Sequence, residues 1–185
     1  MAITNGYITQ NDLKAFVGIP TSDTADDDLL DNAINGASRQ IDAFCGRKFY
    51  ADTGASAREF YTRDFYRLFV DDISTDTGLI VKYDDDDDGT YEVTVPSTDY
   101  KLLPINQVVG GIEGSPYYVI ELQSNGDFEW PLSDTSNRPF AQITAKWGYA
   151  TTPEPIKYAC KMLASELFAM RNAPLGVAGV GDFGV

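Results

Sequence analysis

The chain has no histidine in 185 residues. Histidine titrates near neutral pH and is the commonest metal ligand. Its absence excludes Ser-His-Asp and Cys-His nucleophile systems and every histidine-based metal centre. Cysteine is almost as scarce, with Cys45 and Cys160 alone. Two thiols are too few for a disulfide scaffold, and without histidine too few for a structural zinc site. Both fall on apolar faces of predicted helices, which reads as buried small hydrophobes in a reducing compartment. Basic residues are half as frequent as acidic ones, 14 against 28, for a net charge of −14. Such a chain does not wrap nucleic acid, because neutralising phosphates takes clustered Lys and Arg. It can still surround DNA without gripping it. No stretch nears the ~18 apolar residues of a membrane helix. The opening MAITNGY lacks the basic start and apolar run of a leader, so a protein folded in a cytoplasm, with no membrane partner, is expected. Phosphate-loop and dinucleotide fingerprints are also missing. The expectation is no catalytic residue, no cofactor and no enzyme.

What is present is strongly patterned at both ends. Thr9 suits a helix N-cap, with Asp12 three residues on and Ile8 and Leu13 spaced as a hydrophobic staple. Leu13, Phe16 and Val17 share a face, and Gly18 and Pro20 stop the helix. A second helix is predicted from a cap at Asp23 or Thr24. Its first turn carries Asp26, Asp27 and Asp28 at the favourable end of the dipole. Leu30, Ala33, Ile34, Ala37, Ile41, Phe44 and Cys45 form its apolar stripe, and Gly46 ends it. A third helix is predicted from Pro155. Its stripe is Ile156, Ala159, Cys160, Leu163, Ala164, Leu167 and Phe168, and Asn172 and Pro174 close it. The two long stripes are of similar size and are expected to pack together. Leu30, Ile34, Ala37, Ile41, Phe44, Ile156, Cys160, Leu163 and Leu167 would form that packing core.

Between Phe49 and Ala150 the period becomes that of strands. The expected strands are 59–62, 67–70, 79–83, 90–95, 99–103, 117–122 and 140–147. Turn-rich pieces at 84–89, 104–115 and 124–138 separate them. Hairpin-length connections predict a mostly antiparallel region. The fold class is α+β: a short N-terminal helix plus two long helices in a small bundle, with an antiparallel β insertion between helices two and three. Residues 1–48 and 152–172 would be a helical core, 49–151 the insertion, and 173–185 an extended tail.

Three motifs carry possible chemistry. Asp84, Asp86, Asp88 and Gly89 match the opening of a calcium loop. Position twelve of that loop is Val95 rather than Glu, and the flanks read as strands, so a solvated hairpin turn is expected. A calcium site on Asp84, Asp86 and Asp88 is the alternative. Arg58, Arg63 and Arg67 are expected to pair with Glu59, Asp64, Asp71 and Asp72 nearby. Tyr61, Phe65, Tyr66, Phe69, Tyr117 and Tyr118 read as core and cross-strand pairs rather than a sugar-stacking face.

The last thirteen residues, Ala173 to Val185, combine four glycines with one charge and five larger apolar side chains. Gly at this density holds no regular structure alone. Disordered termini are ordinarily polar and charged, so this one makes sense covered by a partner. Pro174, Leu175, Gly176, Val177, Gly179, Val180, Gly181 and Phe183 are its candidate docking residues.

Several segments stand in a characteristic order: DLKAFVGI at 12–19, DDDLLDNAI at 26–34, IDAFCGRKFY at 41–50, DGTYE at 88–92 and TDYKLLP at 98–104. WGYA at 147–150, PEPIKYA at 153–159 and the tail at 173–184 complete the set. In their order and spacing these segments resemble the head–tail connector (adaptor, or head-completion) proteins of long-tailed bacteriophages. The resemblance implies a homo-oligomeric, dodecameric ring; an isolated subunit can be a monomer in solution. The ring would sit at the head–tail interface of a virion, after assembly in the host cytoplasm. It also implies two protein partners: the portal protein, reached by the tail, and a stopper or tail-completion protein on the opposite face. Genomic DNA would pass through the central channel without sequence-specific binding. Two other classes compete. A stand-alone β-type module for carbohydrate or calcium predicts a monomer stabilised by its ligand, and an acid hydrolase predicts a deep carboxylate-lined pocket.

Overall fold

The computed structural model describes residues 2–132 and 138–172. It is α+β, with three α-helices and antiparallel sheets. The contacts divide the chain into two compact units. One comprises the residues up to Phe49 with those from Thr152 on, and the other is Tyr50–Thr151.

In the first unit, α1 (Gln10–Val17) begins as its sequence predicts. The Thr9 hydroxyl accepts from the Asp12 N–H, and the Asp12 carboxylate accepts from the Thr9 N–H, closing a capping box. Gly18 ends the helix in the left-handed region at φ 76°. The start of α2 (Asp27–Cys45) differs from expectation. The Asp23 carboxylate bonds to the Ala25 N–H in a turn of its own, so Asp26 becomes the N-cap. Lys14 is responsible for part of this arrangement. It is 1% exposed, and its ammonium donates to the Asp23 carbonyl at 2.7 Å and pairs with Asp27 at 2.5 Å. A buried ammonium is tolerated only with such partners, and this one ties α1 to the entry of α2.

Leu30, Ala33, Ile34, Ala37 and Ile41 of α2 are buried. They face α3 (Glu154–Ala169), where Cys160, Ala164 and Phe168 are buried and Ile156, Leu163 and Leu167 half-buried. Gly36 serves this crossing, since a Cβ there would lie 3.4 Å from Leu167. Two residues of the predicted stripe require correction. Phe44 is 93% exposed, and Cys45 is exposed as well. The chain turns at Gly46, with φ 63°, and delivers Phe49 in their place. Phe49 packs edge-on against Tyr7 with ring centres 5.9 Å apart. The Tyr7 hydroxyl donates to Asp42 and accepts from the Phe49 N–H, and the Tyr7 N–H donates to Ser38. Burial and the Asp42 bond push its ionisation well above the usual tyrosine range. At the other end Arg171 pairs with Asp26 at 2.9 Å and stacks on Phe168.

The second unit holds β1 (Ser56–Phe60), β2 (Arg67–Ile73), β3 (Ile80–Tyr83), β4 (Val93–Val95) and β5 (Tyr100–Leu103). After them come β6 (Val108–Val109), β7 (Ile112–Glu113), β8 (Tyr117–Leu122) and β9 (Ala141–Ala145). One sheet has the order β1-β9-β3-β4, a second β2-β8-β5, and β6-β7 form a separate ribbon. Every pairing is antiparallel, but hairpins are not the main reason. β1, β3, β2 and β5 all pair with strands distant in sequence, such as Arg58 with Ile143 and Leu68 with Ile120. The ribbon lies within a stretch expected to be only turns, because two-residue strands are too short to show alternation. Leu68, Ile73, Val81, Ile120, Ile143, Trp130 and Trp147 join both sheets in one core. Trp147 is fully buried, donates through its indole to the Ser56 carbonyl at 2.9 Å, and carries the Arg58 guanidinium over its ring.

Candidate functional site

The tail residues Pro174, Leu175, Gly176, Val177, Gly179, Val180, Gly181 and Phe183, expected to dock on a partner, lie outside the described residues. Among the described residues two groups of exposed apolar side chains stand out, beside others such as Leu29, Phe44 and Phe69. In the helical unit, Phe16 of α1 meets Tyr158 of α3 edge-on at 6.2 Å, and both are about half exposed, with Met162 one turn further on. In the β unit, the β6–β7 ribbon exposes Val108, Val109 and Ile112, with Ile105 just before it.

The acidic run forms the turn between β3 and β4. Asp84 organises it: the carboxylate is buried and accepts from the N–H groups of Asp86, Asp87 and Gly89. Burial opposes ionisation of this group, but the backbone donors outweigh it and hold its pKa below the ordinary carboxylate range. Asp86 and Asp88 each accept from the N–H two residues on. Asp87 at φ 64° and Gly89 at φ 92° complete the bend. One oxygen each from Asp84, Asp86, Asp88 and Glu92 lie within 4.8 Å of one another. Such an all-oxygen set suits a hard divalent cation in donor chemistry. Glu92 escapes a sequence template that looks for its carboxylate at Val95. The Arg138 guanidinium, also not foreseen, donates to the Asp87 carbonyl at 3.0 Å and brings positive charge to the turn.

The basic residues pair much as surface ions do. Arg58 meets Asp71 at 2.6 Å, as expected, and also Asp52 at 3.7 Å. Arg67 pairs instead with Glu121, its register partner across β2 and β8. Among the aromatics, Tyr66 and Tyr117 are half-buried against the β core, whereas Tyr61, Phe65, Phe69 and Tyr118 are exposed. A groove of about 410 Å³ sets Phe65 beside Asp85, Asp127 and Glu129. Trp130 in its wall is fully buried and Tyr83 nearly so, which leaves Phe65 as the ring able to stack on a ligand there.

The Asp84 geometry predicts an acid-sensitive turn. Because the folded pKa lies below the unfolded one, the contribution is present above about pH 4 and is lost as pH falls through the folded value. Asp84→Ala leaves three N–H groups without their acceptor and should cost roughly 1–3 kcal/mol at pH 7. The cost should shrink toward pH 3 in urea titrations of variant against wild type. A pH-independent cost would show that the carboxylate's charge is not what holds the turn.

Residues 7–90 match the family model described as "Phage gp6-like head-tail connector protein". The matched stretch covers α1, α2, β1 to β3 and the acidic turn, and leaves out α3 and the tail. The head–tail connector resemblance therefore rests on the N-terminal half rather than on the tail motif. Among solved structures the fold is similar to a chain titled "Neck of empty GTA particle computed with C6 symmetry". The TM-score is 0.53 at 12% identity, over 97% of this chain and 87% of that one. Among curated proteins nothing matches.

Proposed function

With residues 7–90 matching head–tail connector proteins, we propose that this chain is a structural virion subunit that joins the portal to the tail-side stopper or tail-completion proteins. It is not an enzyme in this reading. The helices, residues 1–48 and 152–172, are the connector core, 49–151 an inserted β domain and 173–185 the arm that docks on the portal. Copies form a ring at the head–tail interface. The similar neck was computed with sixfold symmetry, which a dodecameric ring satisfies.

The charge supports a channel function. Of the 28 acidic residues 18 lie between Tyr50 and Thr151, with seven of the 14 basic ones. Repeated around a ring, that excess repels the DNA backbone and lets it slide without sticking. The test is to mix the purified chain with portal-bearing heads and image the product. A ring of added density beneath the portal is expected. Heads without it, at saturating protein, would sink the proposal.

The oxygen set at Asp84, Asp86, Asp88 and Glu92 supports a second reading, a cation-binding β module. It predicts heat on calorimetric titration with calcium and a rise in Tm that Asp84→Asn abolishes. The connector reading needs neither.

A further inference from the structure

We infer that the β6–β7 ribbon of one copy docks in a groove of the β unit of a second copy. This deepens the ring reading above and rests on it for the partner. The ribbon stands apart from both larger sheets, with no third strand beside it. It turns through Gly110 and Gly111 at φ 59° and 81°. Ile105 is 67% exposed, and Val108, Val109 and Ile112 are each more than 40% exposed. A two-stranded ribbon alone in water is marginal, and an uncovered apolar one is an aggregation hazard. Residues 104–115 carry one charge, Glu113, in a unit otherwise dense with acid. This is the composition of a surface that is covered in use.

The acceptor is a groove of about 700 Å³ at the base of the ribbon, lined by Leu79, Tyr100, Leu102, Ile105 and Tyr117, with Lys101, Asp76 and Thr77 also in its wall. Its four aliphatic and aromatic side chains apart from Ile105 are half-buried against the β core, so each keeps part of its surface open to the groove. Lys101 is a counter-charge for Glu113. Of residues 104–115, Ile105 alone lines this groove in its own chain. The strands of the ribbon are held in register with each other, Val108 with Glu113 and Val109 with Ile112.

Ribbon and groove are different patches, so copies can join head to tail, a heterologous contact that closes into a ring where its rotation allows. The area argues the same way. The exposed apolar surface of the ribbon is on the order of a few hundred Å², below the roughly 800 Å² per partner of a stable pair. One contact therefore holds weakly, and a closed ring, in which every copy both gives and receives, holds by repetition. The two units that approach are both acidic, so the contact should strengthen with salt as repulsion is screened.

The experiment uses the full chain with exposed Cys45 changed to Ser, carrying Val109→Cys and Thr77→Cys at the ribbon tip and the groove. Mild oxidation is followed on non-reducing gels, both for concentrated purified protein and for protein added to portal-bearing heads. The expected result is a ladder of dimers and higher species from the double variant, stronger at high salt, and monomers from either single variant. Adding Val108→Asp and Ile112→Asp should remove the ladder without changing the circular dichroism or Tm. A double variant that stays monomeric in both preparations overturns the inference. So does Val109→Cys alone dimerising as well as the pair, or cross-linking to a different head protein. Co-sedimentation with heads is scored separately: binding without a ladder sinks the ribbon contact alone, and a ladder without binding sinks the connector reading.

Discussion

A chain ending at Asn172 is expected to fold normally and to lose its hold on portal-bearing heads. The reasoning is one of magnitude. Burying Leu175, Val177, Val180 and Phe183 gives roughly 1.5–3 kcal/mol each before costs. Immobilising the chain and its side chains on the partner takes back much of that gain. A single arm on that account binds feebly, and attachment depends on many arms engaging together. Deletion removes every anchor at once, so co-sedimentation should fall to background. Phe183→Ala removes one anchor in each copy and should give partial loss, steepest at low protein concentration. The truncated chain should keep its far-ultraviolet spectrum and urea midpoint, because the buried residues of the helical unit, Leu30, Ile34, Ala37, Ile41 and Cys160, all precede the cut. Unchanged co-sedimentation of the truncated chain would place the portal contact elsewhere, with Phe16, Tyr158 and Met162 the next surface to probe.

Gly148→Ala is expected to be the most damaging added methyl among the described glycines. Gly148 adopts φ 104°, which L side chains rarely reach, and its Cβ would overlap the Tyr50 carbonyl and crowd Ala51. That neighbour is backbone, held by the bridge between Ala51 and Gly148 and by the Asp52 N–H on the Trp147 carbonyl at 2.8 Å. The Gly148 N–H in turn donates to the Asp72 carbonyl at 2.7 Å. Backbone strain of about 1–3 kcal/mol adds to the displacement of the Tyr50–Ala51 backbone beside Trp147. A loss of at least about 3 kcal/mol is expected, within the range of severe substitutions, measured as the shift in urea midpoint. Gly54→Ala is the control, since a Cβ there meets nothing within 4 Å. Equal stability of the two variants would show that this corner yields freely.

The ends of the chain were the most legible. Thr9 and Asp12 make the capping box that their spacing predicts, and Gly18 and Gly46 end their helices in the left-handed region. These are local matters, decided within one or two helical turns. Leu30, Ile34, Ala37 and Ile41 followed from periodicity, because a helix repeats its face every three to four residues. The absence of histidine and the acid excess likewise bound the chemistry with no structure at all. What failed was whatever depended on a partner distant in sequence. Phe44 continues the stripe by spacing and is solvent-exposed, because the turn at Gly46 brings Phe49 onto Tyr7 instead. Arg67 takes its ion pair from Glu121, 54 residues on, by strand register. Glu92 and Arg138 join the acidic turn across the β3–β4 hairpin and from another segment. The sequence by itself determined the capping box at Thr9 and Asp12, the helix ends at Gly18 and Gly46, the buried stripe from Leu30 to Ile41 and the acidity. The tertiary structure alone decided which strands pair, which aromatic is buried and which charges meet, because those choices are made by groups whose separation along the chain carries no record of their proximity.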